Sequence, residues 1–149
     1  MNKEIISSSV EETEALGAEI GRLLTEDKDA PSFIALYGDL GVGKTAFVRG
    51  LASVIAPNSA VRSPTFAIVN EYRANRCSLF HFDMYRIEDE DELYSIGFYD
   101  YLDRKGVCLV EWSENIEYAL PDDYISVKIE KNPALGENYR NINVCLCHA

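Results

Sequence analysis

Apolar residues along this chain follow two kinds of spacing, one typical of strands and one of helices. Short continuous runs at Phe33–Tyr37 and Val107–Val110 are typical of strands buried on both faces. Between Leu16 and Leu24 the apolar residues recur at helical spacing instead, and Ser9–Glu12 ahead of them matches a capping box that opens a helix. Strands that alternate with helices in this way indicate an α/β fold.

The rest of the chain follows the same reasoning. A strand is predicted from Thr65 to Tyr72, after the extended Ser63-Pro64. Its predicted partner is Ser78–Phe82, whose apolar and aromatic content is typical of a strand. The final segments around Val127 and Val144 alternate with period two and predict a hairpin with one wet face. We place further elements at Lys3–Ile6 (strand), Ala46–Ile55 (helix ended by Pro57), Asn75–Arg76 (turn) and from Glu88 onward (helix start followed by an aromatic segment to Leu102).

A glycine-rich loop follows the first buried strand. Gly38–Thr45 fits G-x-x-x-x-G-K-[ST], whose glycines let successive backbone N–H groups surround the phosphates of a nucleotide. The next helix directs its positive end toward the same anion. Lys44 is placed to reach the β- and γ-phosphates, and the Thr45 hydroxyl is placed to bind Mg²⁺. Strand, loop and helix occur in the order that the motif requires, so the sequence predicts a nucleotide-phosphate site.

Two carboxylates follow buried strands and are predicted to join this site. Asp83 ends one apolar segment and Glu111 ends another. Because the carboxyl ends of strands on one edge of an α/β sheet converge on the ligand crevice, both should lie near the loop. Either can bind Mg²⁺ directly or through water. His81 interrupts the apolar pattern ahead of Asp83, and we interpret it as a packed strand residue rather than a catalytic base.

Length and charge narrow the class of protein. With 149 residues, 47% hydrophobic and 26% charged, the chain reads as one soluble globular domain over residues 1–149. Its formal charge of −11 and pI of about 4.6 argue against autonomous binding to nucleic acid, of which tRNA is one case, or to an anionic membrane. The sequence shows no secretory leader and no apolar stretch long enough for a membrane span, so a cytoplasmic protein is expected.

The four cysteines form no CxxC pair. We interpret them as buried or strand thiols of a reducing compartment. Cys145, Cys147 and His148 lie close enough together to suggest a metal site, but they do not supply the four ligands of a closed one.

With these segments identified, the chain resembles the TsaE (YjeE) family of small bacterial P-loop ATPases in the tRNA threonylcarbamoyladenosine pathway. The resemblance rests on Glu12-Thr13, Tyr37–Thr45, Ser63–Phe66, Glu71-Tyr72, His81–Arg86 and Val110–Trp112. Where many members have a second threonine after Lys-Thr, this chain has Ala46. The resemblance implies a three-layer, P-loop NTPase-like α/β fold with a mixed, mostly parallel sheet flanked by helices.

The resemblance also implies roles for individual residues. Lys44, Asp83, Glu111 and Thr65, which lies in a switch-like segment, would carry catalysis, and Thr45, Asp83 and Glu111 would hold Mg²⁺. ATP would be bound by the loop together with Thr13, a contact for base or ribose, and Arg140, whose alignment is loose. The loop contribution comprises Asp39, Leu40, Gly41, Val42, Gly43, Lys44, Thr45 and Ala46.

The implied function is an ATPase that works with the TsaB–TsaD pair while threonylcarbamoyl is placed on adenosine in tRNA. Met84 follows Asp83, where many P-loop ATPases carry a glutamate base, so turnover alone should be slow and partners should stimulate it. Two alternatives share the same loop: a small-molecule kinase and a nucleotide-dependent binding switch with negligible turnover.

Overall fold

The computed structural model describes residues 2–39, 41–64, 68–74 and 77–148. Its strands are β1 (Asn2–Ser7), β2 (Phe33–Tyr37), β3 (Val69–Tyr72), β4 (Ser78–Asp83), β5 (Gly106–Glu111), β6 (Tyr124–Lys131) and β7 (Arg140–Cys147). Its α-helices are α1 (Val10–Glu26), α2 (Lys44–Ile55), α3 (Glu90–Ser95) and α4 (Phe98–Asp103), and a 3₁₀ helix spans Ser113–Ala119. None of the helices in these ranges is both long and apolar enough to cross a membrane.

In the described ranges the strands form one mixed sheet with the order β1-β7-β6-β2-β5-β4-β3. The central pairs β6 with β2, β2 with β5 and β5 with β4 are parallel. The outer pairs, β1 with β7, β7 with β6 and β4 with β3, are antiparallel. The predicted α/β fold with a sheet that is parallel at its centre is confirmed, as is the closing hairpin of β6 and β7.

Alternate residues of the central strands enter two separate hydrophobic cores. Ile34 and Leu36 of β2 lie in the core beneath α1 and α2, whereas Phe33 and Ala35 lie in the core beneath α3, α4 and the 3₁₀ helix. Because side chains of a strand point alternately to opposite faces, a strand covered on both sides must be apolar throughout. The sheet is therefore the middle of three layers.

Two glycines bring α1 and α2 into backbone contact. A Cβ atom on Gly17 would lie 2.1 Å from the Phe47 carbonyl oxygen, and one on Gly50 would lie 1.8 Å from that of Glu14. Any larger residue would push the helices apart, since a side chain cannot occupy space that backbone atoms already fill. The helix that follows the glycine-rich loop is thus fixed against the first helix of the chain.

The structure differs from the sequence-based prediction at several elements. The segment from Glu88 to Leu102 forms two short helices separated by Gly97, which has a left-handed backbone with φ of 73°. The 3₁₀ helix after β5 was not predicted. Ser9 caps α1 as expected, but the Glu12 carboxylate accepts the N–H of Ser8, one residue earlier than in a standard capping box.

Candidate functional site

The loop between β2 and α2 has the backbone that its glycines predict. Gly43, directly before the helix, has φ of 106°, a left-handed value that disfavours side chains. Gly43 also has no side chain that could accept hydrogen bonds from the backbone N–H groups of the first helical turn. These N–H groups have no acceptors inside the helix. Gly38 approaches β6 so closely that a Cβ would lie 2.8 Å from the Ile129 carbonyl oxygen. The loop thus presents backbone donors and the positive helix end to a ligand.

Lys44 is the first residue of α2 and is only 6% exposed. Among the described residues its Nζ has no hydrogen-bond partner. Oε1 of Glu111 lies 3.6 Å away, and the Trp112 ring centroid lies 4.7 Å away. A buried ammonium group without hydrogen bonds is unfavourable, because its desolvation is not compensated. This site is consequently suited to an anion that would accept hydrogen bonds from Lys44.

Asp83 and Glu111 lie side by side at the carboxyl ends of β4 and β5. They are register partners of the parallel pair, and each is 7% exposed. Oδ1 of Asp83 accepts the Tyr85 N–H at 3.0 Å, and the backbone N–H of Asp83 donates to the Ile68 carbonyl at 2.8 Å. The structure therefore brings both carboxylates to one place, with Glu111 next to Lys44 of the loop. Carboxylate oxygens are ligands that Mg²⁺ prefers, so this pair beside the loop lysine suits a cation such as Mg²⁺ next to a nucleotide phosphate.

His81 belongs to this cluster, which the sequence-based interpretation did not anticipate. It is 1% exposed, its Nε2 lies 2.5 Å from Oε2 of Glu111, and its Nδ1 lies 3.4 Å from the Tyr72 hydroxyl. His81 is packed in a strand as predicted, but it contacts the carboxylate of the site. The sequence supplies half of the signal, the period of two that puts His81 on the same strand face as Asp83. The register that pairs Asp83 with Glu111, and so puts His81 diagonal to Glu111, comes only from the structure.

Arg140 and Thr13 occupy different positions relative to the loop. Arg140, the first residue of β7, donates from Nε to the Val42 carbonyl oxygen at 2.8 Å, so it lies against the loop. Thr13 is 3% exposed, and its hydroxyl lies 2.8 Å from Oγ of Ser7. That contact links the end of β1 to the start of α1, which favours a structural role. A contact of Thr13 with base or ribose stays a prediction.

The remaining predicted site residues are distributed over the loop and its flanks. Thr45 is exposed at the start of α2, whereas Ala46 is buried on the helix face that turns inward. Asp39 and Gly41 are exposed, and Val42 packs into the core beneath α1 and α2. Leu40 and Thr65 lie outside the described residues.

Two residues with a strained backbone flank the carboxylates. Ile68 has φ of 69° and Trp112 has φ of 58°, and a left-handed conformation costs non-glycine residues of order 1–3 kcal/mol. The carbonyl oxygen of Ile68 accepts a hydrogen bond from the backbone N–H of Asp83, and Trp112 directly follows Glu111 in the chain. Strained backbone persists only where the surrounding structure compensates for its cost. Residues of this kind cluster at ligand sites.

A large cavity lies beside the loop rather than at Lys44. Its volume is about 970 Å³, and its walls include Asp39, Glu117, Glu130 and Lys128. Tyr37 also lines it, and burial raises the pKa of this phenol to about 12, with Tyr124 and Glu117 adding to the effect. Carboxylates outnumber lysines along these walls, so the cavity is poorly suited to phosphates. An anion site is therefore expected at Lys44 and the loop, not in the cavity.

The cysteine-rich end of β7 is separate from this cluster. Sγ of Cys145 and Sγ of Cys147 lie 3.6 Å apart, and the His148 imidazole pairs with Asp123 at 2.8 Å. Within the described ranges, no group of three or more His, Cys, Asp or Glu residues is arranged to hold a metal ion.

Comparison with known proteins assigns the chain to a family. The sequence profile of the family described as threonylcarbamoyl adenosine biosynthesis protein TsaE matches residues 7–142. A Bacillus subtilis protein named tRNA threonylcarbamoyladenosine biosynthesis protein TsaE is 39% identical over 132 residues, which are 89% of this chain and 78% of that protein. The Aquifex aeolicus protein of the same name is 40% identical over 144 residues, which are 95% of each chain.

The fold agrees with this assignment. The crystal structure of Bacillus subtilis YdiB superposes with a TM-score of 0.75 at 29% identity, covering 100% of this chain and 87% of that one. The resemblance inferred from the loop, the His81–Arg86 segment and the Val110–Trp112 segment is confirmed, and the chain belongs to the TsaE family.

Proposed function

We propose that this protein binds and slowly hydrolyses ATP with Mg²⁺, and that hydrolysis supports the TsaB–TsaD complex during threonylcarbamoylation of adenosine in tRNA. The observation that carries the proposal is the Lys44 ammonium group. It is buried at the start of a helix, next to a glycine-rich loop, without a hydrogen-bond partner among the described residues. The terminal phosphates of a nucleotide are the ligand that would satisfy it.

In this proposal, separate groups of residues bind the phosphates and the magnesium ion. Lys44 and the loop amides would hold the phosphates, while Thr45, Asp83 and Glu111 would hold Mg²⁺ directly or through water. When bound there, Mg²⁺ would supply positive charge to the phosphate oxygens. Glu111, already adjacent to Lys44, is the carboxylate best placed to order the metal or the attacking water. Thr65 is proposed to act in the same reaction from its switch-like segment.

We expect the isolated protein to hydrolyse ATP slowly, because a methionine follows Asp83 where many P-loop ATPases have a glutamate base. Met84 follows Asp83 and is fully buried, so it supplies no base for water. A partner that completes the site could raise the rate by as much as ~10³–10⁵, the range known for an arginine finger. The sequence places the surface for basic partner residues at Phe98–Tyr101, Trp112 and the acidic run from Glu88. Phe98 is fully buried and cannot contribute, whereas the nearby Tyr94 is exposed and is proposed in its place. A cytoplasmic location is part of this proposal.

Phosphate release from Mg²⁺–ATP, with and without TsaB–TsaD, tests the proposal. We expect slow release by the isolated protein, stimulation by the pair, and no release by Lys44→Ala under either condition. ADP formation that depends on a small-molecule acceptor would instead identify a kinase. Tight binding without turnover, even with the pair present, would identify a nucleotide-dependent switch.

A further inference from the structure

A continuous series of buried contacts leads from the loop lysine into the sheet. Lys44 faces Oε1 of Glu111 at 3.6 Å, and Oε2 of the same carboxylate lies 2.5 Å from Nε2 of His81. The Tyr72 hydroxyl lies 3.4 Å from Nδ1 of His81 and 3.0 Å from the Arg62 carbonyl oxygen, and its single hydrogen can be donated to either acceptor. The Arg62 N–H donates to the same hydroxyl oxygen at 3.1 Å. Every side chain in this series except Lys44 lies on β3, β4 or β5.

The chemistry of these groups fixes one proton. Glu111 faces the Lys44 ammonium group, and a carboxylate in such a pair only accepts hydrogen bonds, so we assign the hydrogen shared with Glu111 to Nε2 of His81. With His81 on one oxygen, the carboxylate cannot rotate without breaking a buried hydrogen bond. Loss of such a bond is costly in a site shielded from water. The other oxygen is thereby kept toward Lys44, at the loop.

The position of His81 in the sheet argues against a purely packing role. Its neighbours Phe80 and Phe82 are fully buried in the opposite core, and Leu79, on its own face, is fully buried as well. An apolar residue would satisfy this strand without the desolvation that an imidazole requires. The shortest polar contact of the imidazole joins its Nε2 to the Glu111 carboxylate of the candidate site. This hydrogen bond accounts for a histidine at a position where an apolar residue would otherwise suffice.

We propose that His81, held by Tyr72, is a positioning residue that orients Glu111 for phosphoryl transfer. His81 acts through Glu111, while Tyr72 ties the imidazole to the backbone of Arg62, just ahead of Ser63-Pro64. The inference rests on the proposed ATPase function. Its first test needs no nucleotide, so the two can fail separately.

The first test is nuclear magnetic resonance of the isotope-labelled, nucleotide-free protein. An imidazole N–H that is buried and bonded to a carboxylate exchanges slowly with water, whereas an exposed one exchanges too fast to observe. We expect one such signal, retained in His148→Ala and lost in both His81→Gln and Glu111→Ala. Its absence from the wild-type protein, or its persistence in Glu111→Ala, would overturn the contact on which the inference rests.

The second test is kinetic and uses two substitutions of His81. His81→Gln keeps a donor near the Nε2 position, whereas His81→Met removes it at similar volume. We expect His81→Met to lower kcat about 10–100-fold, as for residues that orient a metal ligand, with ATP affinity little changed. His81→Gln should recover part of the loss. Equal losses in the two variants would mean that the donor is not what matters.

A double substitution separates positioning from a general structural defect. If His81 acts only through Glu111, adding His81→Met to Glu111→Ala should change the residual rate by less than about twofold. A full further loss would show that His81 acts independently and would overturn the proposal.

Tyr72→Phe removes only a hydroxyl, so it tests this series of contacts if His81→Met does not fold. We expect a smaller fall in kcat there than in His81→Met, and an unchanged kcat would remove Tyr72 from the series. If the wild-type protein releases no phosphate, the ATPase proposal fails while the resonance test still decides the His81–Glu111 contact.

Discussion

Arg140 contacts the glycine-rich loop from β7, which lies two strands away from β2 in the sheet, because its Nε donates to the Val42 carbonyl oxygen at 2.8 Å. The same guanidinium donates from one terminal nitrogen to the carbonyls of Glu137 and Tyr139, at 2.7 and 2.9 Å. A single side chain thus connects the turn before β7 to the loop. Arg140 was assigned to the nucleotide site from resemblance, and this contact with the loop gives it a definite structural role there.

Arg140→Met should therefore weaken ATP binding without unfolding the protein. Loss of one hydrogen bond from a charged donor is worth about 1.5 kcal/mol, roughly tenfold in Kd. Isothermal calorimetry measures the change. Arg49→Met is the matched control, because Arg49 lies on α2 and makes only a half-exposed ion pair with Glu14. Equal affinity in Arg140→Met and the wild-type protein would show that the contact does not shape the loop.

Lys44→Ala should weaken ATP binding most strongly. Charge-assisted hydrogen bonds to phosphate contribute ~1.5–3 kcal/mol, about 10–150-fold in Kd. Calorimetry with Mg²⁺–ATP provides the measurement. Lys3→Ala, which removes an exposed lysine on β1, should leave the affinity unchanged. Unaltered binding by Lys44→Ala would remove the central claim of a phosphate site.

Asp83→Asn should raise the magnesium concentration needed for half-maximal ATPase activity. The substitution removes an anionic oxygen while keeping the shape and the acceptor for the Tyr85 N–H. Magnesium titration of the rate tests this expectation. Asp29→Asn, in the exposed connection between α1 and β2, serves as the control. A magnesium curve that coincides with that of the control would make Asp83 a structural residue.

Glu111→Ala should bind ATP but hydrolyse it poorly, since the carboxylate's contribution is made to the metal or to the attacking water in the transition state. Binding by calorimetry and single-turnover hydrolysis separate the two effects. Glu114→Ala, an exposed glutamate in the following 3₁₀ helix, should retain full activity. A normal kcat in Glu111→Ala would place this carboxylate outside the reaction.

The central strands could be predicted from the sequence because each obeys a single local rule. Phe33–Tyr37 is apolar throughout because both faces of the strand are covered. In Gly38–Thr45 the glycines adopt the positive φ angles that the turn of the loop requires. The ends of β4 and β5 converge by topology alone, which was enough to bring Asp83 and Glu111 together.

The missed features depend on contacts between distant segments. The His81–Glu111 hydrogen bond requires the register of two strands, and a single sequence does not state a register. The pairing of β1 with β7 could not be anticipated either, since β1 is an edge strand with mostly exposed residues. The contact between the hydroxyls of Ser7 and Thr13 likewise joins separate elements and appears only in the folded chain.

The close contact of Gly17 and Gly50 with the facing helices has a mechanical consequence. Backbone atoms that pack this closely leave no room for side chains between the helices, so we expect α1 and α2 to move together and to carry the N-terminal end of α2 with them. A displacement that accompanies ligand binding is then expected on the opposite side of the candidate site, where Ile68 and Trp112 have left-handed backbones. The helix pair would serve as the support, and the carboxylate side of the site would move.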